Sequence, residues 1–255
     1  GIENASGSYL MFLDSDDFLK PYCLKSRIDA IDRDSNLDFI VKNGVFCDSD
    51  GKLLKRIWNV ENSDEDLIRF LYGDCLWSVS GGLFKLKFIR DNKIKFDPAL
   101  AAFQDLDFHI HVLSFNPNYR KFLSDKPDHV IRRHGSNSIS QKSNPDFSIS
   151  AYLISKKLMR NYNNLSEHSK TVLMARFYYD LQTLFFHKHF LKFFKEIFTM
   201  KQSFKSKAEL ILLSFYTIYY LKVKGERPST IKSNVHELIT KYHNYPRTIG
   251  AYESN

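Results

Sequence analysis

The apolar positions divide the chain into two regimes. Up to about residue 144, short apolar runs alternate with turn residues and single helical stripes. Tyr9-Leu-Met-Phe-Leu13 is a continuous apolar run of the kind that forms a strand buried on both faces. Residues 21–32 predict a helix with Pro21 at an early position, where its missing N–H costs nothing, and with Leu24, Ile28 and Ile31 as its apolar stripe. Residues 39–46 and 53–58 predict strands, joined as a hairpin through Asp48-Ser-Asp-Gly51. Ser63-Asp-Glu-Asp66 opens a helix by capping-box logic, running to about Leu71 with Gly73 at its end. Residues 77–86 read as extended, 88–93 as a short helix, and 105–114 as a helix with Leu106, Ile110 and Leu113 on one face. Two short strands follow at 119–123 and 129–133, then a loop at Gly135-Ser-Asn-Ser138.

After Pro145 the period becomes helical throughout. Residues 149–161, 166–199, 206–222 and 230–243 are the expected helices, with a break at Gly225-Glu-Arg-Pro-Ser229. The division expected is therefore 1–144, mixed α/β, and 145–255, all-α. Charge follows it: residues 145–255 hold 17 Lys+Arg against 8 Asp+Glu, leaving 20 against 21 in the first part. No repeat of fixed length is present, so a solenoid is not supported. The three cysteines, Cys23, Cys47 and Cys75, form neither a disulfide framework nor a zinc site, and point to a reducing compartment. The longest nearly apolar stretch, residues 210–221, is too short to span a bilayer, which needs roughly 20 residues.

The first apolar run stops on Asp14, Asp16 and Asp17, and a helix begins a few residues later. Acids between a strand end and a helix stand at the edge of a sheet where open α/β folds bind ligands. Adjacent carboxylates repel and stay ionised cheaply only with solvent or a cation between them; oxygen-only ligands of this kind suit Mg²⁺ or Mn²⁺. An acidic turn that merely caps the next helix is the competing explanation.

The stretch Gly1-Ile-Glu-Asn-Ala-Ser-Gly-Ser-Tyr-Leu-Met-Phe-Leu-Asp-Ser-Asp-Asp17 resembles the strand before the Asp-x-Asp motif of family 2 glycosyltransferases, the inverting GT-A enzymes, at Gly1, Ala5, Gly7, Tyr9, Phe12, Leu13, Asp14, Asp16 and Asp17. Three later segments are similar to the same family. In Leu76-Trp-Ser-Val-Ser-Gly-Gly-Leu-Phe-Lys85 the resemblance implies an acceptor site at Trp77, Gly81 and Gly82; read singly, a core Trp and a Gly-Gly bulge explain these residues as well. In Phe96-Asp-Pro-Ala-Leu-Ala-Ala-Phe-Gln-Asp-Leu-Asp-Phe108 it implies that Asp105 is the catalytic base, with Gln104 replacing the family's usual acid beside the acceptor. His109 and His111, two apart, do not share a helix face, which argues against a two-His metal site. In Asp128-His-Val-Ile-Arg-Arg-His134 it implies that Arg132, Arg133 and His134 face the donor diphosphate, with His129 where the family usually has Tyr.

The expected fold class is thus α/β, a GT-A (Rossmann-like) catalytic part lacking the N-terminal strand and loop that hold the nucleotide base, followed by an all-α region. The resemblance covers about residues 1–140, and the chain reads as a fragment that alone binds donor poorly. The expected activity is metal-dependent inverting transfer from a nucleotide-diphosphate sugar to a glycan or lipid-linked acceptor, in bacterial cell-surface polysaccharide synthesis. Asp14, Asp16 and Asp17 would hold the donor, and Mn²⁺ or Mg²⁺ would sit on Asp16, Asp17 and His134. The alternative is a non-catalytic transferase-like module docking on a membrane or partner. Phe185-Phe-His-Lys-His-Phe-Leu-Lys-Phe-Phe-Lys195 either packs with its basic face in water or lies on an anionic membrane surface, so a cytoplasmic protein at the inner membrane face is expected. Nucleic acid is not an expected partner, because the basic part carries no recognised nucleic-acid motif. Sugar, nucleotide, acceptor and oligomeric state are not legible.

Overall fold

A computed structural model describes residues 1–58, 65–123, 126–133, 145–161, 165–200, 202–224, 234–245 and 252–253. The chain forms two compact units: Gly1–Pro98 with Gln104–Lys142 and Arg247–Asn255, and Ala99–Phe103 with Ser143–Pro246. The return of Tyr252–Glu253 to the first unit, and the assignment of Ala99–Phe103 to the second, have no counterpart in the sequence pattern.

The first unit contains two sheets. One has the order β1 (Tyr9–Leu10), β6 (Gly82–Lys85), β3 (Phe39–Lys42), β7 (Tyr119–Phe122); the other runs β2 (Phe18–Leu19), β8 (His129–Arg132), β4 (Gly44–Cys47), β5 (Leu53–Trp58), β9 (Tyr252–Glu253). The β3–β7 and β4–β8 pairs are parallel and the others antiparallel. Two stretches of chain therefore run side by side from the first sheet into the second. They are stitched at the crossing by Asn43, whose carbonyl accepts from Asp128 N at 3.2 Å and whose side-chain amide donates to the Leu123 carbonyl. The hairpin expected between β4 and β5 is present; its turn is closed by Asp48 Oδ1, which accepts from Asp50 N and Lys52 N at 3.0 and 2.9 Å, with Gly51 at φ 84°. The helices are α1 (Cys23–Asp32), α2 (Asp66–Leu71), α3 (Leu86–Asp91) and α4 (Gln104–Ser114). The expected cap at Ser63 and the loop at 135–138 lie outside the described residues.

Two expectations are corrected. The apolar run at 9–13 is a strand only at Tyr9–Leu10, lies at a sheet edge, and leaves Leu13 47% exposed. Phe12 is the residue that anchors it, in a cluster with Phe84, Phe96 and Phe108 rather than in a ladder. Helix α1 does not bury Leu24 and Ile28, which are 54% and 41% exposed; it buries Cys23, Arg27, Ala30 and Ile31. Arg27 is the reason. Its guanidinium is fully buried and donates from Nε and Nη2 to Asp128 at 2.8 and 2.7 Å, and from Nη1 to the Ser80 and Gly82 carbonyls at 2.8 and 3.2 Å. A charge in that position must reach its partner, and the helix is rotated accordingly.

The second unit packs α5 (Pro145–Asn161), α7 (Phe190–Thr199), α8 (Phe204–Lys224) and α9 (Asn234–His243) around α6 (Glu167–Phe186), which Ser166 caps through Ser169 N at 3.1 Å. The single long helix expected over 166–199 is two. Lys188 takes φ 65°, with Lys188 N donating to Phe185 O and His189 N to Leu184 O, the bonding of a left-handed helix stop. A lysine in place of the usual glycine hides that stop from the sequence. None of the described helices is long and apolar enough to cross a membrane.

Replacing Arg27 by Met removes one half of a buried, bidentate ion pair and strands Asp128. The expected loss is about 3–5 kcal/mol in urea unfolding; a loss below about 1 kcal/mol, the scale of an exposed pair, would refute the importance given to this contact.

Candidate active site

The turn that carries Asp14, Asp16 and Asp17 is held from both ends. On one side Phe12 sets its ring edge-on to Phe108 of α4 at 5.2 Å and to Phe96 at 5.1 Å, while Phe96 and Phe108 stack at 4.7 Å. On the other, β2 pairs with β8 through Phe18 and Val130, and Lys20 N donates to Asp128 O at 2.9 Å. Between these supports Asp17 N closes on Asp14 O at 3.1 Å, and Asp17 Oδ1 accepts from Arg132 N at 3.0 Å. As whole residues Asp14 and Asp16 are exposed and Asp17 is half-buried, and the Asp14 carboxyl is itself partly withdrawn from solvent.

Charge is concentrated here. Asp17 is pushed up to about 6, first by burial and then by Asp14 and Asp16, against the lowering effect of the Arg132 amide and of Ser80. Asp14 is also raised, by burial and by Asp16. Asp105, at the first turn of α4, is raised to about 6 by burial and by Asp14. The two segments, far apart in sequence, thus bring their carboxylates into one electrostatic neighbourhood. Phe108 lies one helical turn beyond Asp105, on the same side of α4, so the Phe12–Phe108 contact is also what brings Asp105 to the acidic turn. Gln104 is half-buried beside Asp105, and the preceding Phe103 takes φ 61°, a bulky residue in left-handed backbone at the entry to the helix.

The strand after Asp128 splits its arginines. Arg132 donates from Nε to Asp16 O at 3.1 Å and from Nη1 to Ser49 O at 2.7 Å, so its guanidinium lies against the acidic turn. Arg133 turns the other way and covers the Phe46 ring at 4.7 Å, with Arg56 on the same ring at 6.0 Å; burial, and then Arg56, lowers it. His134, expected with Asp16 and Asp17 as a metal ligand, lies outside the described residues. Among the described residues no three His, Cys, Asp or Glu side chains are gathered as metal ligands.

Trp77 is 1% exposed. Its Nε1 donates to His109 Nδ1 at 3.2 Å and its ring meets Phe70 at 4.8 Å, so it offers no open face to a sugar and fills the core, the second of its two sequence readings. Burial holds His109 down at about 3, which keeps the imidazole neutral and able to accept that bond. Gly81 and Gly82 are buried as well, and a Cβ on Gly82 would run into the Phe84 ring: the glycine makes room for the aromatic cluster.

Several residues that organise the site were given no such role by the sequence, although Ser78, Asp128 and His129 lie within the family-like segments. Arg27, Asp128, His129 and Ser78 form a buried chain, with His129 Nδ1 3.1 Å from both Arg27 Nη2 and Asp128 Oδ1, and Nε2 3.2 Å from Ser78 Oγ. Burial alone would raise Asp128, but the hydrogen bonds from Arg27 and His129 hold it at about 2. A Cβ on Gly44 would strike the His129 ring, so a glycine opposite this position is the local signal that an imidazole fits there. Cys75 is a neutral thiol, raised by burial and then by Asp105, which sets it near the carboxylate; its carbonyl accepts from Trp58 Nε1 at 3.1 Å.

Comparisons with known proteins bear on the fold and on the family that the chain is similar to. The model of "Glycosyl transferase family 2" matches residues 1–103. An uncharacterised glycosyltransferase of Methanocaldococcus jannaschii is 24% identical over 110 residues, covering 43% of this chain and 37% of that protein. Crystal structures of S. aureus TarS 1-349 are similar in fold: one at TM-score 0.50 and 21% identity covers 96% of this chain and 66% of the other. A second, in complex with UDP-GlcNAc, has a TM-score of 0.49 at 20% identity and covers 81% and 56%. The fold is the GT-A glycosyltransferase fold, with a C-terminal helical region. The chain spans less than two thirds of the length of each of these relatives.

The raised carboxyls have a thermodynamic signature. Asp105 is protonated more readily in the fold than at its usual 3.8, so its penalty on stability is absent below about pH 4 and sets in as pH rises through about 6. Asp105→Asn should therefore unfold at a higher temperature than the parent at about pH 8 and at the same temperature at about pH 4. A variant less stable than the parent at the higher pH would contradict the assigned crowding.

Proposed function

We propose that this chain, whose residues 1–103 match the model of glycosyl transferase family 2, carries the catalytic part of an enzyme that moves a sugar from a nucleotide-diphosphate donor to a glycan or lipid-linked acceptor, as in polysaccharide synthesis. The observation that carries this reading is that Phe12, next to the acidic turn, packs on Phe108 one helical turn from Asp105, so that a carboxylate at a helix start lies within electrostatic reach of Asp14. The two groups have separable tasks. Asp105 takes the proton of the acceptor hydroxyl as that oxygen attacks the anomeric carbon. The bond from that carbon to the diphosphate breaks, and the nucleoside diphosphate leaves with the electron pair. Attack opposite the leaving group inverts the anomeric centre.

The turn at 14–17 is an all-oxygen donor set in which Asp14 and Asp17 are raised by burial and by the neighbouring carboxylates, which fits Mg²⁺ or Mn²⁺ held by one or two carboxylates and completed by water and phosphate oxygens. Asp14 and Asp16, both exposed, are the groups that would hold it; Asp17 is tied to the Arg132 amide and would orient the turn, and the family resemblance adds His134. When bound, such an ion supplies positive charge to the leaving diphosphate. Arg132, already against the turn, adds its own. Gln104 is suited to hydrogen-bond the acceptor.

Asp105 at about 6 is ionised at neutral pH, so transfer should fall on the acid side below about pH 6, with the limb moved lower by bound cation. In the full-length protein, Asp105→Asn should lower kcat by roughly 10²–10⁴-fold while leaving donor Kd within about twofold. Asp16→Ala should instead remove the response to added Mn²⁺ or Mg²⁺. Assays over a donor panel that includes UDP-GlcNAc, with and without chelator, separate the two effects. Unchanged turnover in Asp105→Asn would end the assignment of the base.

A further inference from the structure

Helices α7 and α8 present an apolar surface that their own unit leaves open. At 100° per residue, the six apolar residues of α7 between Phe190 and Phe198 fall within an arc of about 160°. Only Phe193 and Ile197 of that arc are fully buried, whereas Leu191 and Phe198 are 91% and 72% exposed. On α8 the same projection gathers Phe204, Leu212, Phe215 and Tyr219 within about 80°, over a length of roughly 22 Å. They are 87%, 68%, 55% and 62% exposed, while Leu210, Leu213 and Thr217 behind them are buried. A helix that is apolar on both sides belongs inside a core, and α8 has solvent on one of them. The two helices form one surface, because Phe185 meets Phe190 at 5.0 Å and Phe215 at 4.8 Å.

The charge around this surface selects its partner. From Lys188 to Lys224 the sequence has eight lysines and two glutamates, a balance of +6. Glu196 is moreover bound to Lys156 at 2.5 Å. Lys188, Lys195 and Lys205 are exposed. A second copy of the chain seated here would bring two such basic surfaces together, whereas a layer of acidic lipid headgroups neutralises the lysines and accepts the aromatic stripe among the acyl chains. We infer that the α7–α8 face docks flat on an anionic lipid bilayer. This adds an interaction that does not depend on glycosyl transfer, and it is measured without donor or acceptor.

The test is co-sedimentation of the full chain with vesicles of phosphatidylcholine alone and of phosphatidylcholine and phosphatidylglycerol in equal parts. Partitioning to the acidic vesicles should exceed that to the neutral ones by roughly tenfold or more and should collapse in high salt. The double variant Phe204→Ser with Leu212→Ser, both at exposed positions, should lower binding to acidic vesicles about tenfold while keeping the parent unfolding temperature. Three results would overturn the inference: no binding to either vesicle, equal binding to both, or a dimer in solution that the double variant dissolves.

Discussion

Arg27 and Asp128 meet across the buried centre of the first unit, and the acidic turn depends on that meeting without touching it. Their bidentate contact ties α1, the helix that follows the turn, to the start of β8, the strand that runs beneath it. From β8 the Arg132 amide reaches Asp17, and the Asp128 carbonyl takes Lys20 N. The same guanidinium also holds the carbonyls of Ser80 and Gly82, so the loop under the site shares its anchor. A buried ion pair is a poor source of net stability, since desolvation consumes most of its attraction. Its value here is geometric: planar, fourfold hydrogen bonding admits one arrangement of three segments.

A second constraint opposes the first. Carboxylates of the acidic turn share a neighbourhood with Asp105 in which burial and neighbouring negative charge raise Asp14, Asp17 and Asp105. The aromatic cluster around Phe108 offsets that repulsion, because edge-on and stacked rings gain from the same approach that crowds the acids. Apolar packing thus holds charge where charge alone would disperse it.

Much of this was legible in the residues. The mixed α/β order, the β4–β5 hairpin, α4 and the all-helical second unit follow from apolar period and turn chemistry, and the acidic turn and Asp105 follow from motif. What escaped has specific causes. Leu24 and Ile28 have the spacing of a buried stripe, but a stripe calculation has no term for a neighbouring arginine with a distant partner. Trp77 is equally at home on a sugar or in a core, and only its contact with His109 decides. Lys188 adopts backbone that composition assigns to glycine. Arg27 stands outside every family-like segment, and its pairing with Asp128 and His129 is visible only once the fold brings them together.

The parallel pairing of 39–42 with 119–122 in one sheet and of 44–47 with 129–132 in the other has a consequence for how the molecule is made. During synthesis the acidic turn, Arg27 and the first crossing strand leave the ribosome about a hundred residues before Asp128 does, at a few to some twenty residues per second. For that interval of several seconds a guanidinium destined for the interior has no carboxylate, and β4 has an open edge where β8 will lie. The stretch that matches the model of glycosyl transferase family 2, 1–103, is therefore a unit of similarity and not of folding. A nascent chain halted there should remain open to protease until β8 emerges and closes the sheet.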